Sequence, residues 1–405
     1  MRGSNVPTEV APRQREDGSG AHATARKAHS VVVGGESVLD HPQAVSPARF
    51  RLGEQDLVAA LVATGVPDFD PDREADAERV LIEVDVFSCN YRDRGILLRT
   101  RARVPAASAT PTGSEFCARL IAAGRAVGGL SVGDRVFAAN AWPEPMAPGL
   151  LAGLPTDHAS RRHHRLHYRQ LARVPDTMSD EEAAAFTIGA QTGYALVRRV
   201  GISAGDVVLV TAASSATSQF VISRLRNDPA QPRVVAITTS GAGARAAADR
   251  GAHDVLLLEG EDARACGREG GVVAEVSREV GGFAAIIDPL FDIHFPQLSQ
   301  HLRQEGRYIS CGYAGQYEGA AQPGQIGDQR AFVGAMRALG SLNASILGHC
   351  LGTWSDLDRA IADYEAGQLT VPIDSVHTGP PAPFLERSWL DRSRVGKVVY
   401  RYERV

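Results

Sequence analysis

Lysine is almost missing from this chain. Lys27 and Lys397 are the only two in 405 residues, and arginine supplies the rest of the 43 basic side chains. We read the imbalance as the codon bias of a GC-rich genome. Against 47 acidic residues it leaves a formal net charge of −4, which offers nothing to a polyanion and sets nucleic acid aside as a partner. Cysteine is scarce as well. The five (Cys89, Cys117, Cys266, Cys311 and Cys350) are scattered with no CxxC pair, which argues against a disulfide framework and against a thiolate zinc knot. No apolar run approaches the roughly 20 residues of a membrane span, and no secretory signal is recognisable at the start. The expectation is a soluble, cytoplasmic globular protein with no membrane partner. What the chain does have is apolar substance. Hydrophobic residues make up 44% of it, enough at this length for a substantial core and two domains.

Residues 1 to about 30 are polar, rich in Gly, Pro and Ser, and without apolar periodicity; they are expected to form a disordered tail. From 78 to 137 the pattern is strand and turn. "RVLIEVDVFSCN" alternates apolar residues, and "ARLIAAGRAVGGLSVGDRVFA" gives two short strands around Gly-rich turns, so an antiparallel β domain is predicted. The style changes near 175. "SDEEAAAFTIGAQTGYALVRR" predicts a helix with Ser179 as N-cap and Glu182 completing a capping box. Strands follow at 207–212, 233–239, 254–258, 283–289 and 306–312, with a sixth at 341–348, separated by helical stretches. Near-continuous apolar strands of this kind imply a parallel sheet buried on both faces. A helix over "WSDLDRAIADYEAGQL" and a strand over "GKVVYRYE" close the chain.

The turn after the first of these parallel strands, "TAASSATS", holds no glycine. A doubly wound fold binds pyrophosphate there, with backbone N–H groups and a helix N-terminus facing the phosphates. The glycine positions are taken by Ala212, Ser215 and Ser218, all small, and Ser214, Ser215, Thr217 and Ser218 add hydroxyl donors. Two readings stand at this point: a phosphate site with unusual residues, or an ordinary βα corner with a Ser/Thr-capped helix.

Several blocks bear on that choice. "SCNYRDRGIL", "GSEFCARLIAAGRAVGGLSVGDRVFA", the helix block near 175–200 and "GKVVYRYE" occur in that order. Together they resemble the medium-chain dehydrogenase/reductase superfamily, in particular its zinc-independent quinone-reductase and enoyl-reductase-like branch. The resemblance covers roughly residues 78 to 405 and departs at the glycine-free turn and over about 50–77. It implies an α/β protein: a GroES-like β-rich catalytic domain plus a Rossmann doubly wound parallel-sheet domain. The implied division is a tail over 1–30, the catalytic domain over 31–175, the nucleotide domain over 176–349, and a return to the catalytic domain over 350–405. A cleft between the domains would hold a nicotinamide cofactor and a small-molecule substrate, and the protein is expected to be a homodimer.

By the same resemblance, zinc-dependent relatives carry Cys and His where this chain has Asn90 and Ser114. Neither substitute is a normal zinc ligand, and Cys89 is one residue out of register, on the other face of a strand. The cluster His163, His164 and His167 is read as solvated. No metal is expected. The second parallel strand ends "TTSGAGAR" with no carboxylate for a ribose 2′-hydroxyl. Thr239, Ser240 and Arg245 suit a 2′-phosphate, so NADPH is the expected cofactor, although Thr239 and Ser240 are also plain helix-capping residues. Lys397 matches the family's Gly-Lys beside the cofactor, or is an exposed lysine on a terminal strand.

Without a metal, substrate polarisation falls to hydrogen-bond donors. Tyr91 is the expected proton donor, unless it is a packed core tyrosine. Asn90 would orient substrate or ribose, and His349 would touch the nicotinamide or act as an acid. Thr192, Cys311 and Tyr313 would line the cofactor cleft. The expected function is a zinc-independent, NADPH-dependent oxidoreductase that reduces an activated C=C, quinone or enoyl-type substrate in bacterial metabolism. The alternative is a non-redox lyase or isomerase, or a binding protein, on the same fold with an altered or lost nucleotide site.

Overall fold

The computed structural model describes residues 27–104, 108–313 and 329–403; the expected tail over 1–26 lies outside them. The first strand, β1 (Lys27–Gly34), already covers the last residues assigned to that tail. It lies between β3 (Gln55–Gly65) and the short β5 (Thr110–Pro111), and β2 (Ala44–Leu52) completes a four-stranded antiparallel sheet in the order β2-β3-β1-β5. The stretch over 50–77 that departs from the family pattern is therefore mostly the β2–β3 hairpin and the loop after it.

A second sheet forms the body of the catalytic domain. It orders β16 (Ile373–His377), β17 (Lys397–Arg401), β4 (Arg79–Ser88), β6 (Glu115–Ala123), β7 (Arg135–Ala138) and β9 (Leu171–Arg173), with β8 (His163–His167) also on β4. The last strand of the chain thus pairs antiparallel with β4, Val399 opposite Ser88, which returns the C-terminus to the catalytic domain. Helix α1 (Tyr91–Arg101) leaves β4 through a capping box of Asn90 and Asp93, and α11 (Ala382–Trp389) packs beside β17.

The helix expected near 180–199 is in fact two. Ser179 and Glu182 do form the capping box of α2 (Asp180–Ala183), but a new helix, α3 (Thr187–Val200), starts after a break. The parallel sheet follows in the order β12-β11-β10-β13-β14-β15, built from β10 (Val207–Val210), β11 (Arg233–Thr238), β12 (Asp254–Leu257), β13 (Phe283–Asp288), β14 (Leu302–Ser310) and β15 (Ser345–Gly348). All its pairings are parallel. Its connections include α4 (Ala216–Arg226), α5 (Gly241–Asp249), α6 (Gly260–Arg264), α7 (Val272–Val280), α8 (Phe291–Leu298) and α9 (Gln329–Ser341), while α10 (Trp354–Glu365) packs on α3. Buried Val, Leu and Ile fill both faces, as in the fully buried run Val208, Leu209 and Val210, which explains the unbroken apolar strands. The sixth strand is shorter than expected, because Ser341 still belongs to α9 and a turn follows before the strand starts at Ser345. Strand order reverses between β10 and β13, so the crevice at their carboxyl ends is where such a sheet receives a ligand.

Candidate active site and cofactor cleft

The glycine-free turn joins β10 to α4 at this crevice. Ala212 holds a φ of +48°, the left-handed region where a Cβ is penalised and glycine is at ease. Ser215 is the N-cap of α4: its hydroxyl accepts from Ser218 N at 3.1 Å and donates to Ser218 Oγ at 2.9 Å. Ser218 donates to the Thr211 carbonyl at 2.8 Å, and Ser214 shares a 2.9 Å hydrogen bond with Thr238. Three of the four hydroxyls read as phosphate donors are therefore engaged within the fold. Only Thr217 keeps a hydroxyl with no partner among the described residues. The backbone N–H groups of Ala216 and Thr217, in the first turn of α4, also lack an acceptor among the described residues, leaving the positive pole of the helix open.

At the end of β11, Ser240 caps α5 by accepting from Gly243 N at 3.2 Å, so its hydroxyl serves the helix. Thr239 and Arg245 are exposed, and Arg245 has no ion pair among the described residues. A Cβ on Gly243 would meet Ser214 Oγ at 2.1 Å, so the two βα turns touch only because that residue is glycine.

Farther along the edge, Thr192 is buried on α3. Cys311 follows β14 with its thiol pushed up to about 12 by burial. Tyr313 is half exposed, its ring edge-on to Phe291 at 5.5 Å. His349 is less available than expected. Arg199 Nη1 lies 2.9 Å from its Nδ1, and its Nε2 lies 2.6 Å from the Leu351 carbonyl. An arginine only donates, so the ring proton sits on Nε2 and points at that carbonyl. Burial holds this imidazole below its usual range. Both ring nitrogens are thus occupied.

Across the cleft, Asn90 does not face solvent with a free amide either. Its Nδ2 donates to Ser114 Oγ at 3.0 Å and to Glu115 Oε2 at 2.8 Å, while its Oδ1 accepts from Lys397 Nζ at 2.6 Å. Lys397 is 3% exposed and ion-paired with Glu115, which also accepts from Ile188 N at 2.7 Å. Lys397 is thus not an exposed lysine, and its charge is met by Glu115. Ser114 donates to Asp93 Oδ2 at 2.7 Å, and burial raises the Asp93 carboxyl to about 6. Tyr91 stands apart from this network. It is 41% exposed at the start of α1, so it is not a core tyrosine, and its phenol accepts from Arg94 at 3.3 Å. Burial raises the thiol of Cys350, just past β15, and the charge of Arg92, on the same helix as Tyr91, partly opposes it. Gly396 N donates to the Ser214 carbonyl at 2.8 Å, which ties the glycine-free turn to the strand that carries Lys397.

The histidine cluster is a correction. His163, His164 and His167 are buried on β8, not solvated, because β8 pairs with β4. His164 stacks on Phe116 at 6.1 Å, and burial lowers its imidazole to about 4. Among the described residues no group of three or more His, Cys, Asp or Glu is arranged to hold a metal ion.

One constellation was missed in the sequence. Asp288, fully buried at the end of β13, accepts from Tyr308 at 2.6 Å, from Leu290 N at 3.0 Å and from Thr211, and contacts His294 Nδ1 at 2.8 Å. A strand-end aspartate beside the switch point, six residues before a histidine, was the available signal. His294 lines a cavity of about 470 Å³ with Thr239, Leu258, Arg264, Asp292 and Phe332. A larger cavity of about 620 Å³, around Arg226 and His253, lies at the amino edge and holds no candidate residue.

No family model matches the chain. Over 356 residues it is 27% identical to erythronolide synthase EryA2 of Saccharopolyspora erythraea, covering 84% of this chain and 9% of the synthase. Over 205 residues it is 30% identical to quinone oxidoreductase-like protein 2 of Bos taurus, covering 50% of this chain and 52% of that protein. The chain thus spans at most about half the length of these curated relatives. An NAD-dependent alcohol dehydrogenase superposes with a TM-score of 0.68 at 21% identity, over 92% of this chain and 99% of that one. The mycobacterial protein Rv1454c, solved in complex with NADPH, superposes at 0.64 and 20% identity, over 92% and 100%. This is a medium-chain dehydrogenase/reductase fold. Its two parts are the GroES-like and Rossmann domains expected from the motifs.

Proposed function

We propose that the protein is a zinc-independent oxidoreductase that uses NADPH to reduce an activated double bond, as in an enone, quinone or enoyl thioester. The observation that carries the reading is Tyr91. It is an accessible phenol at the start of α1, next in the chain to Asn90, whereas Asn90, Ser114 and Lys397 are engaged with one another. The free N–H groups of Ala216 and Thr217 would hold the pyrophosphate, and Thr239 with the unpaired Arg245 the ribose and its 2′-phosphate. The bound nicotinamide supplies hydride. Tyr91 then donates its proton to the substrate as negative charge develops there, helped by the Arg94 guanidinium beside its oxygen. An amide and a hydroxyl at the metal-ligand positions are poor zinc donors, which supports the zinc-free assignment.

The test follows NADPH oxidation with a panel of enones, quinones and enoyl thioesters. Tyr91→Phe is expected to lower kcat by about 10²-fold or more, and Arg245→Ala to weaken NADPH about tenfold while leaving NADH unchanged. NADPH that binds but is never consumed would favour the non-redox reading, which the internally engaged serines of the turn support. Stoichiometric zinc in the purified protein would overturn the metal-free assignment. Within the same reading the protein is a cytoplasmic homodimer joined at the open edge of β15.

A further inference from the structure

The contacts of Asp288 fix which ring nitrogen of His294 faces it. Its carboxylate is fully buried and accepts from the Thr211 and Tyr308 hydroxyls and from Leu290 N. Burial alone would raise this carboxyl, yet the hydrogen bonds from His294, Thr211 and Tyr308 hold it below its usual range. An ionised carboxylate only accepts, so the ring nitrogen 2.8 Å away, Nδ1, carries the proton. Nε2 is then the ring nitrogen left for a ligand. That nitrogen has no partner among the described residues, and the side chain is 16% exposed where it borders the 470 Å³ cavity.

The position of the cavity says what could meet that nitrogen. In a doubly wound sheet the pyrophosphate lies at the first βα turn and the adenosine ribose at the end of the second strand. Thr239 directly follows that second strand, β11, and also lines the cavity. The base on such a ribose would enter the same space, where Leu258 and Phe332 offer apolar flanks. We propose that His294, oriented by Asp288, accepts a hydrogen bond from the exocyclic amine of a 6-aminopurine base bound there. The proposal rests on the dinucleotide reading above and adds to it the residue that reads the base.

Hypoxanthine is the discriminating probe, since it replaces the amine with a carbonyl oxygen. A lone pair would then face a lone pair. The experiment measures Kd for NADPH and for its hypoxanthine analogue on the full chain and on His294→Phe, by the fluorescence of the bound dihydronicotinamide. The native protein is expected to bind NADPH about tenfold more tightly than the analogue, the worth of one good hydrogen bond. In His294→Phe the ratio should fall to within about twofold of unity. If the variant does not fold, the native ratio alone decides. Equal affinities in the native protein, or an undiminished ratio in the folded variant, overturn the assignment of His294 while leaving the dinucleotide reading intact. Binding of neither nucleotide overturns both.

Discussion

Ala212 sits where a Cβ is least welcome. A left-handed φ costs an L-residue about 1–2 kcal/mol relative to glycine, and here it is held because Ser215 N bonds back to the Ala212 carbonyl at 2.8 Å while Ala213 N reaches Ile237. The turn has kept the backbone path that glycine would take and changed only the residue on it. Ala212→Gly is therefore expected to raise the free energy of unfolding by about 0.5–1 kcal/mol, once the larger entropy of a glycine in the unfolded chain is subtracted. Denaturant titration of the two proteins checks this, and a lower midpoint for the variant would show that the alanine is not strained. That the turn is rich in hydroxyls was legible in the sequence. Which hydroxyls are engaged was not, because it depends on β10 and β11 lying side by side, 24 residues apart, so that Ser214 meets Thr238. The partners of Asn90 and Lys397 were hidden for the same reason: they come from other strands of the sheet.

At the scale of elements, the parallel strands were legible because burial on both faces leaves each as an unbroken apolar run. Helix boundaries inside an apolar stretch were harder. The break between α2 and α3 at 184–186 falls in "AAF", which carries no turn residue, and it exists because these residues are buried against the catalytic domain. Strand β8 is the clearest case of a hidden environment. "HHRLH" reads as polar, but its pairing with β4 places His164 opposite Ile82 and against Phe116. That burial predicts a pH dependence. The folded imidazole titrates near 4 instead of 6.5, so the unfolded chain binds the proton first as pH falls. His164 then costs nothing above about pH 6.5, and stability is lost as pH drops from there toward 4, by on the order of 3 kcal/mol in full. Urea midpoints at pH 7.5 and 4.5 should converge more closely in His164→Phe than in the native protein. Parallel losses in the two would remove His164 from the acid response.

At the scale of the whole molecule, the two domains are stitched at the residues that matter chemically. Gly396 meets the glycine-free turn, and Gln191 on α3 donates to the Asn140, Gly352 and Thr353 carbonyls. Such stitching fixes where α1 and Tyr91 stand relative to the sheet edge. What it leaves uncovered is the outer side of that sheet. β15 is the last strand in the order and, among the described residues, pairs only with β14. On its other side no strand pairs with it among the described residues; Arg199 takes the Gly348 carbonyl at 2.6 Å, and Ile346 is 38% exposed. An edge of this kind is usually blunted by Lys, Pro or a bulge, and "SILG" has none of these. The neighbouring α9 adds Val333 and Met336, both more than half exposed. A second copy related by a two-fold axis satisfies both features at once, because an isologous contact lets each β15 pair with the other and lets the apolar patches meet. The expected mass by light scattering at micromolar concentration is therefore twice the 43.0 kDa of one chain. Ile346→Lys, which puts a charge into the paired edge, should shift it to 43.0 kDa without altering the single-chain fold seen by circular dichroism. A native protein that already runs at the mass of one chain would leave the β15 edge to some other purpose.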